Sequence, residues 1–457
     1  MIAAVMAMSM STTSAAMAQT LLAGDWSGAL KVGGADIHLM IHVKGAGGGF
    51  TATLDSPDQG MTGIPIAAVT QTGDAVVFDV GVAHARYTAR LSADGQTLAG
   101  EWTQSGASLP LTLAHGVALA APKRPQTPVK PYPYREVEAA LDNRVGHAHL
   151  TGTLTLPNGP GPFPAVLLIT GSGQQDRDET VFDHHPFLIW ADYLTRRGIA
   201  VLRIDDRQRG GSTGDVEHAT TADFATDVEA EVAYLRTRAD IDKRRIGLMG
   251  HSEGGMIAPM VAAKDPGIAF IVMLAGPGET GEALLLSQNR AINAAAGAPP
   301  AVIDTRVATS RALFDAVKDA PDQATADARL AAAWQALLKR QGAPEATPMP
   351  PEVRAAALPW VRYFVSYDPI PTLARVHCPV LAINGSKDLQ VPPEENLSGI
   401  RAGLRSNPDV TVVELPGLNH LLQTADTGQV SEYGAIEETV SPLALKTVGD
   451  WMVAHVR

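Results

Sequence analysis

Gly250-His251-Ser252-Glu253-Gly254 constrains this chain more than any other stretch. A short apolar run, Ile246 to Met249, leads into it, and a small-residue, helix-compatible segment, Met256 to Ala263, leads out. Glycines two residues either side of a serine permit a turn too sharp for bulky neighbours and let a strand and a helix approach closely. Such a turn exposes the serine hydroxyl and sets the first N–H groups of the new helix beside it, where they can hold an oxyanion. In a chain with 43 glycines the spacing alone arises by chance. The strand before it and the helix after it give it weight.

The surrounding sequence supplies a matching architecture. Ala165 to Ile169, Ile199 to Ile204, Ala269 to Leu274, Val380 to Ile383 and Val410 to Leu415 are apolar runs of strand length. Phe187 to Arg197, Phe224 to Arg238 and Ser441 to His455 have helical spacing. Strands alternating with helices predict a parallel sheet covered on both faces. A β-rich lead-in, Val137 to Leu141 and Ala148 to Leu156, opens this region, which runs over 136–457. Residues at about 277–358 interrupt the alternation. They are Ala-rich, punctuated by prolines, and carry Leu330, Trp334, Leu337 and Leu338 on one helical face. Three or four helices inserted as a cap over the serine are expected there.

At 457 residues the chain is too long for one ordinary core, so two domains or more are expected. Over 24–115 apolar residues alternate, as in Ile37, Leu39, Ile41 and Val43, between glycine-rich turns. Six to eight short strands in a small sandwich or barrel follow from that. Gly24-Asp25-Trp26-Ser27 and Gly100-Glu101-Trp102-Thr103 share a pattern that suggests two similar edge strands. No residue set in this domain suggests catalysis; a binding module or a docking platform are both compatible with it. Prolines at 122, 125, 128, 131 and 133 make 119–134 an extended linker. Residues 1–18 are apolar, lack acidic residues and end Ala16-Met17-Ala18, an export signal with cleavage expected after Ala18, although no Lys or Arg precedes the apolar part. No later apolar run reaches membrane-spanning length, so a periplasmic or secreted protein is expected.

A serine hydroxyl is a poor nucleophile at neutral pH and needs a base, which in turn needs an orienting acid. Asp388 follows the strand Val380 to Ile383, and His420 follows the strand Val410 to Leu415. Of the other downstream histidines, His377 precedes its strand and His455 lies in the terminal helix. Ser252, Asp388 and His420 therefore form the candidate catalytic set, with Gly250 and Gly254 shaping the turn. Two N–H donors are needed for the oxyanion. Glu253, next to the serine, supplies one. The other falls in Thr170-Gly171-Ser172-Gly173-Gln174, with Ser172 first and Gly173 second when Thr170-Gly171 is aligned with a His-Gly oxyanion motif. A phosphate loop is excluded there, because no Lys-Ser/Thr follows and Asp176 and Asp178 repel phosphate. Asp205-Asp206-Arg207-Gln208-Arg209 should form a tight loop of Asp/Arg pairs that buttresses the oxyanion and serine loops, with a role for Arg207 or Arg209 on a substrate carboxylate as the alternative. His184-His185 and His147-x-His149 lack further ligands at metal spacing, so no metal is expected, and no cofactor. The net charge of −12 argues against nucleic acid as a partner, and the single cysteine, Cys378, excludes intrachain disulfides.

From about residue 136 onward the chain resembles a capped α/β-hydrolase of the serine esterase and acyl-peptidase-like group. The likeness is carried by Leu167 to Gly173, Asp205-Asp206-Arg207, Gly250 to Gly255, Ser366-Tyr367-Asp368-Pro369, Asn384-Gly385-x-x-Asp388-x-x-Val391-Pro392 and Leu415-Pro416-Gly417-x-Asn419-His420. Such proteins more often have Asp-Arg-Gly where this chain has Asp206-Arg207-Gln208-Arg209-Gly210. The resemblance implies an α/β-hydrolase fold with a helical cap, preceded here by the small all-β domain. It implies a Ser-His-Asp triad that cleaves a small-molecule carboxylic ester through an acyl-enzyme. A serine peptidase or a thioesterase on the same triad is the alternative, and a non-catalytic binding protein is a rival from another class. The sequence shows no obvious acidic cage for a free N-terminus, which favours esters over peptides.

Overall fold

Period-two alternation of apolar side chains builds the first part of the structure. The computed structural model describes residues 21–456 apart from 33–34, 47–48, 58–60, 82–83, 105–106 and 117–122. The expected export signal and residues 119–122 of the expected linker lie outside the described residues. The chain divides into two compact units, Met1–Lys123 with Val430–Glu437, and Arg124–Gln429 with Glu438–Arg457.

In the first unit nine strands, β1 (Gly24–Val32) to β9 (Ala107–His115), form one antiparallel sheet in the order β4-β3-β2-β1-β9-β8-β7-β6-β5. The two end strands, β4 (Met61–Ile66) and β5 (Ala68–Thr72), follow each other directly in the chain, and β3 (Gly49–Ser56) comes against β5, so the sheet curls on itself. Residues of β7 (Ala85–Leu91) alternate strictly between buried and exposed. Inside are Trp26, Ile41, Phe78, Tyr87, Leu98 and Leu111. The Tyr87 hydroxyl donates to Leu98 O at 2.7 Å, so this buried polar group is satisfied. Two expectations need correction. Nine strands, not six to eight, are present among the described residues; β4 is hidden because Gly63 and Pro65 mask its alternation. The two Gly-acid-Trp strands are not edges. They are β1 and β8 (Thr97–Gln104), which pair on either side of β9 and send Trp26 and Trp102 into the core.

The second unit holds an eight-stranded sheet in the order β10-β11-β13-β12-β14-β15-β16-β17. The hairpin β10 (Arg135–Asn143)–β11 (Ala148–Leu156) is antiparallel and joins antiparallel to β13 (Ala200–Ile204). From β13 through β12 (Phe163–Ile169), β14 (Ile241–His251), β15 (Ile271–Leu274), β16 (Val380–Gly385) and β17 (Val410–Leu415) every pairing is parallel. β13, β15 and β16 are buried along their whole length, which is why they read as mainly apolar runs rather than alternating ones, with Arg203 in β13 and Asn384 in β16 as buried polar exceptions.

Helices cover both faces. α1 (Pro186–Thr195) and α9 (Pro442–His455) lie on one, burying Phe187, Trp190, Val448 and Met452 against Val166, Met249 and Val272. α2 (Thr221–Thr237), α3 (Glu253–Ala262) and α8 (Pro393–Gly403) lie on the other, burying Val228, Val232, Ile257 and Ile400 against Leu167 and Leu248. Each large side chain so buried contributes roughly 1.5–3 kcal/mol, more than the cost of ordering its few rotatable bonds. α2 starts earlier than its apolar stripe suggests, since Thr220 and Asp223 form a capping box.

Residues 275–379 separate β15 from β16 and contain α4 (Gly281–Ala295), α5 (Pro300–Val317), α6 (Gln323–Gln341) and α7 (Pro359–Ser366), with shorter helical turns. Asp322 caps α6 by accepting from Thr325 N at 2.7 Å, and Gly342 ends it in the left-handed region at φ 65°. Leu330 and Leu337 are buried in a small core of the insertion with Leu313 and Val317, and Trp334 packs against it half-buried.

Candidate active site

The turn after β14 is strained. Ser252 has φ 53° and ψ −117°, a conformation that residues with a Cβ rarely adopt. Its neighbours show why glycine flanks it. A Cβ on Gly250 would stand 1.9 Å from Gly254 O, and one on Gly254 would stand 2.2 Å from Ile169 O. The strain is held by Ser252 N–H donating to Leu274 O at 2.9 Å and by the start of α3 at Glu253.

Asp388 and His420 come together as a buried pair, with His420 Nδ1 2.8 Å from Asp388 Oδ2. The other carboxylate oxygen, Oδ1, accepts from the backbone N–H groups of Gln390 and Val391, both at 2.8 Å. Asp388 is thus fixed by its own turn before it meets the imidazole. His251, the residue before the serine, donates from Nε2 to His420 O at 3.0 Å, and the two imidazole rings lie 4.9 Å apart. His420 therefore sits beside the serine turn. The final link is open: the Ser252 hydroxyl makes no cap bond, and the hydrogen bond of the His420 ring is to Asp388. Such bonds are commonly long in ligand-free sites and tighten with substrate.

Gly171 brings the loop after β12 against the serine; a Cβ on it would stand 3.2 Å from Ser252 Cβ. Its N–H is already committed, donating to Glu179 Oε1 at 2.7 Å. The N–H groups of Ser172 and Gly173 donate to no acceptor among the described residues, and that of Glu253, first in α3, has no intrahelical acceptor. Three free donors thus remain at the positions expected to hold an oxyanion.

Several residues that sequence reasoning missed hold this arrangement. Glu179 is buried at φ 52° and its Oε1 lies 2.9 Å from His251 Nδ1. His251 Nε2 faces a carbonyl and Nδ1 faces a carboxylate, so both nitrogens are placed to donate. Burial alone pulls the His251 pKa down, but the Glu179 charge and hydrogen bond outweigh it and leave it above the ordinary value. One carboxylate so ties Gly171 and the serine's neighbour together. Asp206 Oδ1 accepts from Thr170 Oγ1 and Oδ2 from Gln175 N, both at 2.8 Å, which buttresses the same loop as expected. Burial pushes the Asp206 carboxyl up to about 7. The Asp/Arg pairs differ from expectation. Asp205 pairs with Arg177 and Arg207 with Asp227, not with each other. Arg207 is spent on Asp227 and Asp215 O, and Arg209 donates to Gln174 O.

Glu253 makes no ion pair among the described residues. Its Oε1 accepts from Thr221 Oγ1 at 2.6 Å and from Trp360 Nε1 of α7 at 2.7 Å. Beside it a cavity of about 460 Å³ runs behind the 170–174 loop, walled by Asp206, Phe224, Glu231, Glu253, Ile257 and Trp360. The acidic character that linear order concealed is therefore present, because its carboxylates arrive from the β13 loop, α2 and α3. One signal was available: Glu231 falls on the inward stripe of α2 with Val228, Val232 and Leu235.

A mainly parallel sheet, a strained Gly-x-Ser-x-Gly turn between β14 and its helix, and an Asp–His pair after β16 and β17 in that chain order define an α/β-hydrolase. The family model for X-Pro dipeptidyl-peptidase (S15 family) matches residues 146–405, more than half of the chain. The chain belongs to that family. It is 25% identical over 307 residues to Esterase EstD of Thermotoga maritima, covering 66% of this chain and 65% of the esterase, just under two thirds of that relative's length. It is 26% identical over 132 residues to Acyl-coenzyme A thioesterase 1 of Mus musculus, covering 29% of this chain and 28% of that one. Among solved structures, the Pyrococcus furiosus esterase Pf2001 shares 17% identity over 75% of this chain and 100% of its own, with a TM-score of 0.43. The fold assignment stands on the strand order and not on that score.

Proposed function

We propose that this chain is an exported serine hydrolase that cleaves small carboxylic esters through an acyl-enzyme. The observation that carries the proposal is the buried Asp388–His420 pair beside the strained Ser252 turn. His420 Nε2 takes the Ser252 proton as Oγ attacks the acyl carbon. The carbonyl electron pair moves onto oxygen, which the N–H groups of Glu253 and Ser172, or Gly173, receive. Asp388 keeps the proton on Nδ1 and stabilises the imidazolium. Collapse expels the alkoxide, which takes the proton from His420, and water repeats the sequence on the acyl-enzyme. The insertion acts as a cap, with Trp360 reaching Glu253 beside the nucleophile. The name of the Thermotoga relative supports an ester substrate. The family's name brings in peptides, whose leaving amine requires firmer protonation by His420.

A fluorophosphonate probe should label the chain at Ser252, and Ser252→Ala should abolish both labelling and turnover. A panel of p-nitrophenyl esters against aminoacyl-nitroanilides then separates the substrates. Turnover of nitroanilides with inert esters would overturn the esterase proposal in favour of a peptidase. Activity unchanged in Ser252→Ala would overturn the mechanism altogether.

A further inference from the structure

His184 has no part in the proposed mechanism, yet it is 1% exposed and lies in a strained stretch after the 170–174 loop. Glu179, Phe182 and Asp183 all take left-handed φ values, 52°, 49° and 61°. Such strain persists only where the surrounding contacts over-determine it. Here Val181 and His184 exchange both backbone hydrogen bonds, at 3.1 and 2.9 Å, Asp178 pairs with the buried Arg203, and Arg124 donates to Phe182 O at 2.7 Å. The turn so held sends two buried side chains to the segment that carries His420. Glu179 reaches that segment through His251, which donates to His420 O. His184 reaches it by a second route, through Gln423.

The bonds of this second route admit one arrangement. The backbone N–H of Gln423 can only donate, so the Asn419 atom it meets at 3.0 Å is the carbonyl oxygen Oδ1. Asn419 Nδ2 is then the end that donates to Gln423 Oε1, at 2.8 Å. Gln423 is thereby turned so that its Nε2 donates to Glu438 O at 3.0 Å and faces His184 Nε2 at 3.0 Å. An amide NH₂ cannot accept, so His184 Nε2 must. The imidazole proton therefore sits on Nδ1, which donates to Thr439 Oγ1 at 2.7 Å. His184 is thus neutral and held in one tautomer. Asn419, Gln423 and Thr439 are no more exposed than His184, so water does not compete for these bonds. Two backbone bonds, Asn419 N–H to Gln423 O and Leu422 N–H to Asn419 O, both at 3.0 Å, close the same loop with His420 inside it. We infer that His184 is a positioning residue for the proposed base: by accepting from Gln423 it locks the Asn419–Gln423 clamp and so fixes the loop that carries His420 against Asp388. His184 has this role only if His420 is that base. His184, Asn419 and Gln423 do not line the cavity beside Glu253, so their loss should act on turnover more than on substrate binding there.

Ester kinetics expressed per serine titrated with a fluorophosphonate probe separate placement of the base from loss of folded protein. His184→Phe keeps a planar ring and removes the acceptor, and Gln423→Met keeps the length and removes the amide. Each should lower kcat about tenfold or more and change KM by less than about threefold. His184→Gln, which can return a carbonyl oxygen toward Gln423, should recover most of that loss. Because His184 acts through Gln423, the double variant should fall less than about threefold below the single ones, where independent roles would multiply to about a hundredfold. Nitrogen NMR on histidine-labelled protein should show, as the signal lost in His184→Gln, a neutral ring protonated at Nδ1. Normal labelling with unchanged kcat per labelled site in Gln423→Met, or losses that multiply in the double variant, would overturn the inference and leave the esterase proposal standing. A ring protonated at Nε2 would overturn it even if His184→Phe does not fold. A wild-type chain that the probe does not label would overturn the reading of His420 as base, and the inference with it.

Discussion

Asp388→Asn should behave as a tautomer trap, and the turn around Asp388 says why. Oδ1 accepts two backbone N–H groups, from Gln390 and Val391 at 2.8 Å each, while Oδ2 receives His420 Nδ1–H at 2.8 Å. An asparagine can keep both backbone bonds only with its carbonyl oxygen at the Oδ1 position. Reversing the amide would set its NH₂ against two N–H groups and leave buried donors unpaired, at about 1–3 kcal/mol each. The amide nitrogen is therefore forced toward His420 Nδ1, which must become an acceptor. The imidazole proton moves to Nε2, and the ring can no longer take a proton from Ser252. The expected loss in kcat is about 10⁴-fold, or roughly 5 kcal/mol of transition-state stabilisation. Stability should change by less than about 1 kcal/mol, since the turn survives. Asp388→Ala is the contrast: it removes the acceptor for both turn N–H groups and should cost about 1–3 kcal/mol or more of stability as well as activity. Ester kinetics and thermal melts on the two variants check this together. Asp388→Asn within tenfold of wild-type kcat would refute the reasoning, because it would mean that the imidazole works without its Nδ1 proton.

Two further substitutions should change stability with opposite sign, each by an amount that depends on pH. Glu231→Gln removes a buried, unpartnered carboxyl whose folded pKa lies well above its unfolded one. The native group contributes its stability below the unfolded pKa and loses it as pH rises through the raised value. The variant should therefore melt higher than wild type, by roughly 1–2 kcal/mol at alkaline pH and by less near pH 5. Glu179→Gln breaks the pair that raises His251. That pair stabilises the fold fully below the unfolded imidazole pKa and fades as pH rises through the raised one. Its loss should cost about 3 kcal/mol in mildly acidic solution and less at alkaline pH. Melting curves at pH 5 and pH 9 for both variants suffice; a Glu231→Gln variant that gains nothing at pH 9, or a Glu179→Gln variant whose cost grows from pH 5 to pH 9, would contradict the assignments.

What the sequence displayed well was whatever its chemistry confined to a short window. The serine turn needs glycine at 250 and 254 because of backbone contacts to Gly254 O and Ile169 O, and those glycines are visible as letters. Buried parallel strands favour apolar residues at nearly every position, so β13, β15 and β16 are legible as mainly apolar runs. Asp388 follows one such run, and His420 follows the shorter apolar stretch of the part-buried end strand β17. What stayed hidden was pairing across distance. Glu179 meets His251 over 72 residues, and Trp360 meets Glu253 over 107, with no local pattern to announce either. The extent of the first sheet was hidden for a different reason: β5 is only part-buried or exposed at every residue, and a strand with no deeply buried position leaves a weak periodic trace.

Glu253 shows how one residue joins these two kinds of information. Its N–H belongs to the local turn, at the end of α3 where the helix dipole favours a negative charge. Its side chain belongs to the distant pairing, receiving Thr221 from α2 and Trp360 from α7. A charged carboxylate so near the proposed oxyanion position would oppose the charge that the proposed mechanism places there. Burial acts against that by raising the Glu253 pKa, and it outweighs the two neutral donors that lower it. An arginine or lysine partner in place of Thr221 and Trp360 would have held the carboxylate ionised beside the developing oxyanion. Two neutral donors anchor α2 and α7 to the serine turn without stabilising that charge as strongly. An acidic residue is therefore compatible with the position after the proposed nucleophile.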